Sequence, residues 1–257
     1  MIGFNHKKGK HIEIDSAKIY FEETGNPEKK PLLLLHGGFG NLEDFNNLIP
    51  LLNQEFRIIG IDSRGQGKST LGNERLTYER IQKDIEEVIK SMNLSDNLSV
   101  IGISDGGIAA YRLACFSDIR ISKLITIGSR WNSQNARDTR EILTGITSSK
   151  WKERFPETYT AYKMLNPEPD FEKLTTSLVQ MWIDEKESGY PNEKVMDIAC
   201  STLIVRGEND HLVKKKTVFD LSELIPDSHL AHIPFCGHVV YPEQTNILMT
   251  LINEFLT

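Results

Sequence analysis

One serine of this chain has the setting of a catalytic nucleophile. Ser104 has glycines two positions before it and two positions after it, in the segment Gly102–Gly106. The apolar run Leu98–Ile101 predicts a strand before this segment, and Gly107–Ala114 predicts a helix after it. A strand, a turn and a helix with this glycine spacing form a nucleophile elbow, which exposes the serine hydroxyl at the end of a sheet. We therefore predict that Ser104 attacks a substrate carbonyl.

A base and an acid must accompany that serine. A serine hydroxyl is a poor nucleophile unless a base lies beside it and a third group orients the base. After an elbow of this kind, the acid and then the histidine follow along the chain. Asp210 comes just after the predicted strand Thr202–Val205, and His238 follows the predicted strand His229–Ile233. We predict a catalytic triad of Ser104, Asp210 and His238.

Two residues close to Asp210 are alternatives for these roles. Glu208 could replace Asp210 as the acid, but Asp210 has the better position, at the end of a Gly-x-x-Asp turn. His211 adjoins Asp210, and side chains of neighbouring loop residues point in different directions. We therefore expect His211 to be a solvent-exposed loop residue.

The negative oxygen that forms during attack needs two backbone N–H donors. One is the N–H of Asp105, which also begins the predicted helix, whose N-terminus favours negative charge. The second is expected from the loop His36–Gly40, where glycines let the backbone approach a substrate closely. We favour the N–H of Gly38, with Phe39 as the neighbouring option, and expect His36 to hold the loop in place.

Three side chains are candidates for substrate binding. They are Phe39 of that loop, Asp105, and Trp131, which with Arg130 follows the sixth predicted strand. An ionised Asp105 facing the pocket would attract a substrate ammonium group. In the alternative, Asp105 turns into the protein, where it pairs with Arg64 or caps the following helix.

The segment Asp62–Ser69 superficially resembles a phosphate-binding loop. A Walker A motif would need glycine in place of Asp62 and a helix directly after Ser69, whereas Leu71–Asn73 is typical of a loop. We instead predict a turn that braces the nucleophile loop, with Arg64 paired to a carboxylate.

The elements that must position these residues alternate along the chain. Continuous apolar runs at Leu32–Leu35 and Ile58–Ile61 predict strands buried on both faces of a parallel sheet. Apolar residues at helical spacing predict helices at Thr77–Met92, at about Lys214–Leu224 and at about Pro242–Leu256. Buried strands that alternate with helices predict a three-layer α/β fold with a mostly parallel central sheet.

Residues 131–196 interrupt this alternation. They contain no strand-like run, and aromatic residues such as Phe155 and Tyr159 lie at helical spacing. We predict a helical lid at 131–196, inserted into a core made of 1–130 and 197–257. We expect the lid's aromatic residues to serve mainly its own packing.

Composition excludes several classes of function. The chain has 257 residues, a net charge of −6 and no basic stripe, so a nucleic acid partner is not expected. We find no signal peptide and no apolar stretch long enough to span a bilayer, which predicts a cytoplasmic protein without membrane contact. The three cysteines lie far apart, and no cluster has metal-ligand spacing, so we expect no disulfide, metal or organic cofactor. The oligomeric state stays open.

Taken together, five motifs resemble those of the α/β-hydrolase superfamily, and the resemblance spans about residues 11–257. The motifs are His36–Gly38, Asp62–Ser69, Gly102–Gly107, Asp210 and Gly237–His238. The resemblance implies that the nucleophile, acid and base of that family correspond to the triad predicted above. It also implies the oxyanion donors predicted above.

Within the superfamily, the Ser-Asp-Gly-Gly elbow and the chain length are similar to those of the biphenyl-hydrolase-like (valacyclovir hydrolase) group, as is the lid stretch 146–154. That resemblance implies esters as substrates, some with a free amino group. Because the nucleophile is a serine and not an aspartate, dehalogenase and epoxide hydrolase chemistry is disfavoured. Fold alone does not determine the substrate.

These features predict a serine hydrolase that cleaves small carboxylic esters through an acyl-enzyme intermediate, with amino-acid esters among the substrates considered. Two alternatives remain. The same triad could cleave a lactone, thioester, amide or carbon–carbon bond. A non-enzymatic receptor of the same fold could retain the pocket to bind a ligand.

Overall fold

The computed structural model describes residues 3–94 and 97–257. Its centre is one sheet of eight strands, in the order β1-β2-β4-β3-β5-β6-β7-β8. The strands are β1 (Lys10–Ile14), β2 (Ala17–Gly25), β3 (Lys30–Leu35), β4 (Phe56–Ile61), β5 (Leu98–Ile103), β6 (Ile121–Ile127), β7 (Ser201–Gly207) and β8 (Ser228–Ile233).

The sheet is parallel except at one edge. β1 pairs with β2 and β2 pairs with β4 in antiparallel fashion, whereas every pair from β4 through β3 to β8 is parallel. Parallel strands end at the same edge of a sheet, so the loops after β3, β5, β7 and β8 meet there. These four loops carry the residues predicted to do chemistry.

Helices cover both faces of the sheet, as the alternating pattern predicts. Alternate residues of a strand point to opposite faces, so Leu33 and Val100 join one apolar cluster while Leu32 and Ile101 join another. The helices are α1 (Ile49–Leu52), α2 (Tyr78–Ser91), α3 (Asp105–Phe116), α4 (Ser133–Asp138), α5 (Arg140–Thr144), α6 (Ser148–Arg154), α7 (Pro156–Leu165), α8 (Phe171–Trp182), α9 (Lys215–Leu224), α10 (Val240–Glu243) and α11 (Thr245–Leu256).

Local chemistry explains where two of these helices begin. α2 begins after Thr77, whose side chain accepts a hydrogen bond from the backbone N–H of Arg80 and so caps the helix. The single helix expected at Pro242–Leu256 is wrong in detail, because the backbone leaves helical geometry at Gln244 (φ −132°, ψ 46°). Two helices, α10 and α11, therefore occupy this stretch.

The segment between β6 and β7 contains helices α4 to α8 and a 3-10 helix at Asn192–Asp197. One side chain ties it firmly to the core. Asn166 Nδ2 donates to the backbone carbonyls of Gly65, Gly67 and Ser69 at 2.9–3.3 Å. These carbonyls belong to the turn Asp62–Ser69, so this turn braces the helical segment as well as the loops beside it.

Candidate active site

The turn that carries Ser104 is tight and strained. Ser104 has φ 52° and ψ −115°, in a region that L-residues rarely occupy. A Cβ atom on Gly102 would lie 2.5 Å from the carbonyl oxygen of Gly106, and one on Gly106 would lie 2.1 Å from the carbonyl oxygen of Leu35. Both positions therefore require glycine. The turn holds Ser104 at the carboxyl end of β5, directly before α3.

The structure brings the three predicted triad residues together. His238 Nε2 lies 3.0 Å from Ser104 Oγ. On the other side of the ring, His238 Nδ1 lies 2.9 and 3.0 Å from the two carboxylate oxygens of Asp210. The Asp210 side chain is fully buried, while 13% of the His238 side chain is exposed. This arrangement can pass a proton from the serine hydroxyl to the imidazole.

The surroundings of Asp210 keep it ionised. Its Oδ1 accepts the backbone N–H groups of Leu212 and Val213 at 2.8 and 3.0 Å. Burial raises the pKa of Asp210, but the hydrogen bond and charge of His238 and these two N–H donors outweigh burial, and the pKa lies below its ordinary value. An ionised Asp210 accepts the Nδ1–H of His238, which leaves Nε2 free to accept the proton of Ser104.

Glu208 and His211, the alternatives for the acid and the base, make other contacts. Glu208 Oε2 accepts the backbone N–H of Phe235 at 3.1 Å and so stabilises the loop before His238. His211 is exposed, and its ring centre lies 6.3 Å from that of His238. In the described structure, the carboxylate that contacts the His238 ring belongs to Asp210.

The loop after β3 lies against the nucleophile. A Cβ atom on Gly37 would lie 3.2 Å from Ser104 Cβ. His36 holds this loop, because its Nδ1 donates to the Gly37 carbonyl at 2.7 Å and its Nε2 accepts the N–H of Ser63 at 2.9 Å. Gly38 therefore follows a firmly held residue beside Ser104, where a backbone N–H can reach a developing oxyanion.

The second predicted donor is the backbone N–H of Asp105. Asp105 is the first residue of α3, and the first N–H groups of a helix have no acceptor inside the helix. This N–H is therefore available at the positive end of the helix, directly after the nucleophile.

The side chain of Asp105 is buried, as expected for the alternative in which it turns into the protein, but its partners differ from those that were considered. Its carboxylate accepts hydrogen bonds from Tyr78 Oη at 2.7 Å and from Trp182 Nε1 at 2.8 and 2.9 Å. Burial raises the pKa of Asp105, although the Trp182 and Tyr78 hydrogen bonds partly offset this rise. The pairing with Arg64 is wrong, because Arg64 forms a two-point ion pair with Asp84 at 2.5 and 2.7 Å.

A cavity of about 580 Å³ opens over Ser104 and His238. Its walls come from the loop after β3, from the loops that carry the histidine and the aspartate, and from helices α5 and α6. The helical segment between β6 and β7 contributes these apolar residues to the wall: Ile142, Leu143, Ile146, Trp151, Phe155 and Trp182. Asp105 and Arg130 also line the cavity.

Two of the predicted substrate-binding residues lie outside this wall. Phe39 is buried behind it and stacks on Trp151, with ring centres 4.0 Å apart. Trp131 is also buried, and its Nε1 donates to the carbonyl of Thr217 at 2.9 Å. In the described structure each aromatic ring packs into the core, so neither side chain lines the cavity.

The sequence pattern did not indicate two residues that hold Asp105. Tyr78 starts α2 and Trp182 ends α8, and the hydrogen bond from Trp182 spans 77 positions along the chain. No local spacing signals such a contact. Trp182, one of the aromatic residues in 131–196, thus bonds a residue of the site and does not serve only the packing of its own helix.

Metal sites and membrane spans have no candidates in residues 3–94 and 97–257. Within these ranges, no group of three or more His, Cys, Asp or Glu side chains is placed to hold a metal ion. No helix there has both the length and the apolar character needed to cross a membrane.

Comparison with known proteins assigns this fold to a family. The model of the alpha/beta hydrolase fold family matches residues 30–162. The chain belongs to the α/β-hydrolase fold family. It is therefore a hydrolase with the fold that the sequence motifs predict.

Curated relatives of this α/β hydrolase align along almost its whole length. It is 26% identical to 2-hydroxy-6-oxo-6-(2'-aminophenyl)hexa-2,4-dienoic acid hydrolase of Metapseudomonas resinovorans, over 90% of this chain and 86% of that protein. It is also 26% identical to serine hydrolase BPHL of Mus musculus, over 95% of this chain and 85% of that protein. The predicted likeness to the biphenyl-hydrolase-like group is thus confirmed.

A solved structure agrees on the fold. The meta-cleavage product hydrolase of Pseudomonas fluorescens IP01 superposes on this α/β hydrolase with a TM-score of 0.76 at 23% identity, covering 98% of both chains.

Proposed function

We propose that the protein cleaves small carboxylic esters with Ser104 as nucleophile, His238 as base and Asp210 as the residue that orients the base. The observation that carries this proposal is the continuous chain of hydrogen bonds from Ser104 Oγ through the His238 ring to the Asp210 carboxylate. This geometry activates a serine hydroxyl at neutral pH.

The reaction has two halves. Ser104 Oγ attacks the ester carbonyl while its proton passes to His238 Nε2, and the backbone N–H groups of Gly38 and Asp105 stabilise the oxyanion. His238 then donates this proton to the departing alcohol as the carbon–oxygen bond breaks, leaving an acyl group on Ser104. A water molecule, deprotonated by His238, attacks the acyl-enzyme and releases the carboxylic acid and the free serine.

The cavity supports a small substrate. A volume of about 580 Å³ lies in the range of pockets that enclose small molecules. The apolar part of its wall suits the alkyl or aryl part of an ester, and polar groups such as His238 and Arg130 also line it.

The contacts of Asp105 support a structural role for this residue more strongly than the binding of a substrate ammonium group. Tyr78 and Trp182 occupy its carboxylate, and burial raises its pKa, so it is a weaker partner for a substrate cation than an exposed carboxylate. We therefore propose that Asp105 anchors the elbow to α2 and α8, and that amino-acid esters gain no advantage over neutral esters of equal size.

Cleavage of a carbon–carbon bond is the second candidate. Two relatives support it by name, the dienoic acid hydrolase of Metapseudomonas resinovorans and 2-hydroxy-6-oxo-2,4-heptadienoate hydrolase of Pseudomonas putida, each 26% identical to this chain. A 2-hydroxy-6-oxo-dienoate tested beside the esters separates the candidates. A higher kcat/KM for the dienoate would replace the ester proposal.

The decisive experiment labels the nucleophile. The purified protein is treated with a fluorophosphonate probe and assayed on a series of p-nitrophenyl esters. We expect Ser104→Ala to lose both labelling and turnover, whereas Ser149→Ala, an exposed serine of the lid, retains both. Labelling and wild-type turnover in the Ser104→Ala protein would reject this nucleophile.

Absence of both labelling and turnover in the wild-type protein would favour a ligand-binding receptor.

A further inference from the structure

The cavity contains a buried cation that no protein group neutralises directly. Arg130 follows β6 and is 5% exposed, yet it lines the cavity together with Ser104 and His238. Its Nη1 donates to Thr139 Oγ1 at 2.7 Å, the one hydrogen bond that its side chain makes within the described residues. The guanidinium is always protonated, so a full positive charge lies in the wall of the cavity.

The other buried arginines show what this chain does with structural guanidinium groups. Arg64 is paired with the carboxylate of Asp84. Arg112 donates through Nη1 to two backbone carbonyls at 2.8–2.9 Å and through Nε to Gln82 Oε1. Arg206 donates to four backbone carbonyls at 2.6–3.1 Å. Arg130 lacks such a set of acceptors. Its guanidinium also lies over the ring of Tyr190, with Cζ 5.9 Å from the ring centre. A contact with a ring face accepts no N–H hydrogen bond, so the remaining donors of Arg130 stay available to a ligand.

The edge of Arg130 that remains open is the one that binds carboxylates best. The hydrogen bond to Thr139 uses Nη1, which leaves Nε and Nη2 without a protein acceptor among the described residues. These two atoms are the pair through which Arg64 holds the two oxygens of Asp84. A carboxylate forms the same two-point contact with a guanidinium, and a buried setting strengthens it.

The neighbouring acids do not supply that contact. Asp105 accepts from Tyr78 and Trp182, and Asp210 accepts from His238. In the described part of the chain, neither carboxylate forms an ion pair with Arg130 within 4.0 Å. They lower the local positive potential but leave the donors of Arg130 unoccupied.

The remaining charged residues of the wall lie closer to solvent or are already bonded. Lys150 and Arg154 are exposed on α6, and Lys150 donates to the carbonyl of Gly145. Glu141 is exposed on α5, and Asp44 accepts the backbone N–H of Asn41 at 3.2 Å. The exposed cations can attract an anion towards the opening of the cavity. Among the described residues of the wall, only Arg130 is a buried cation whose Nε and Nη2 have no protein acceptor.

We propose that Arg130 binds a carboxylate on the acyl part of the substrate, so that the preferred substrates are monoesters of small dicarboxylic acids. This inference rests on the proposed ester hydrolysis at Ser104. Hydrolysis of such a monoester would release a dicarboxylate and an alcohol, with no co-reactant besides water.

The test compares two esters with the same leaving group. p-Nitrophenyl hemiglutarate carries a free carboxylate, and p-nitrophenyl pentanoate is its neutral counterpart of similar length. We expect wild-type kcat/KM to be at least about tenfold higher for the hemiglutarate, because a charge-assisted two-point contact is gained. Turnover of both esters with a smaller ratio, or with the opposite preference, would overturn the proposal and leave ester hydrolysis intact.

Variants of single arginines test which side chain causes the preference for the hemiglutarate. Arg130→Gln should lower this ratio about tenfold or more, whatever it does to the rate on the pentanoate. Arg137→Gln, a lid arginine outside the cavity that pairs with Glu185, should keep the wild-type ratio. Retention of the ratio in Arg130→Gln, or its loss in Arg154→Gln alone, would place the anchor elsewhere and reject the proposal. If Arg130→Gln does not fold, the wild-type ratio and inhibition by glutarate against pentanoate decide the question.

Turnover of neither ester would count against ester hydrolysis, and Arg130 is then tested by binding alone. Calorimetry with glutarate should show wild-type binding at least about tenfold tighter than binding by Arg130→Gln. Equal binding by the two proteins would reject the anchor.

Discussion

Trp182, the last residue of α8, donates its indole N–H to the carboxylate of Asp105, the residue that directly follows the nucleophile. This contact joins the helical segment between β6 and β7 to the elbow through a buried charge-assisted hydrogen bond. A change at the end of α8 should therefore alter the position of the residue beside Ser104.

Trp182→Phe should destabilise the protein by about 1.5–3 kcal/mol, because it removes a donor from a buried carboxylate. The matched control is Trp151→Phe, since the Trp151 Nε1 is buried without an acceptor in the described structure. Urea unfolding of both variants should show a clearly larger loss for Trp182→Phe. Equal losses would mean that the hydrogen bond to Asp105 contributes little.

His238→Ala should lower ester turnover by about 10⁴-fold or more, since the base of the triad is removed while the oxyanion donors remain. His211→Ala should retain most of the activity, because the His211 ring only packs edge-on near that of His238, with ring centres 6.3 Å apart, and takes no part in the hydrogen bonds of the triad in the described structure. Steady-state kinetics on one p-nitrophenyl ester distinguishes the two. The opposite pattern would move the base to position 211.

Gly106→Ala should unfold the protein or cost more than about 3 kcal/mol, because the new Cβ would lie 2.1 Å from the backbone oxygen of Leu35. Gly145→Ala is the control, since its Cβ would approach the carbonyl oxygen of Glu141 only to 3.1 Å. Thermal melts should separate the variants by many degrees. A stable and active Gly106→Ala protein would contradict the elbow geometry.

Stability should depend on pH through His6. Burial lowers the pKa of His6, but hydrogen bonds and charges from Asp62 and Glu43 outweigh burial, so the pKa in the folded protein is raised. A raised pKa means that the folded state binds the proton more tightly than the unfolded state. The stabilisation is therefore complete below the unfolded value of about 6.5 and is lost as pH rises through the higher folded value.

The measurement compares the free energy of unfolding of wild type and His6→Gln across this pH range. The wild-type advantage should be largest at the acidic end and should shrink as pH increases. A difference that stays constant with pH would show that His6 contributes only through packing.

The amino-acid sequence by itself determined the sheet, the elbow and the order of the triad residues. These follow from local rules: glycines at 102 and 106 are required by a turn that leaves no room for a Cβ, and apolar runs such as Leu32–Leu35 are buried wherever they pair. The loops after parallel strands converge, so Asp210 and His238 could be assigned to one site before any contact was known.

Only the tertiary structure decided what surrounds the triad. Phe39 and Trp131 are buried in the core and not in the cavity wall, and Asp105 binds Trp182 instead of Arg64, because the lid brings together side chains that are far apart along the chain. The tertiary structure also decides that Nε and Nη2 of Arg130 have no protein acceptor among the described residues. Whether a buried guanidinium is satisfied depends on every acceptor that the folded chain places around it, and no local pattern carries that information.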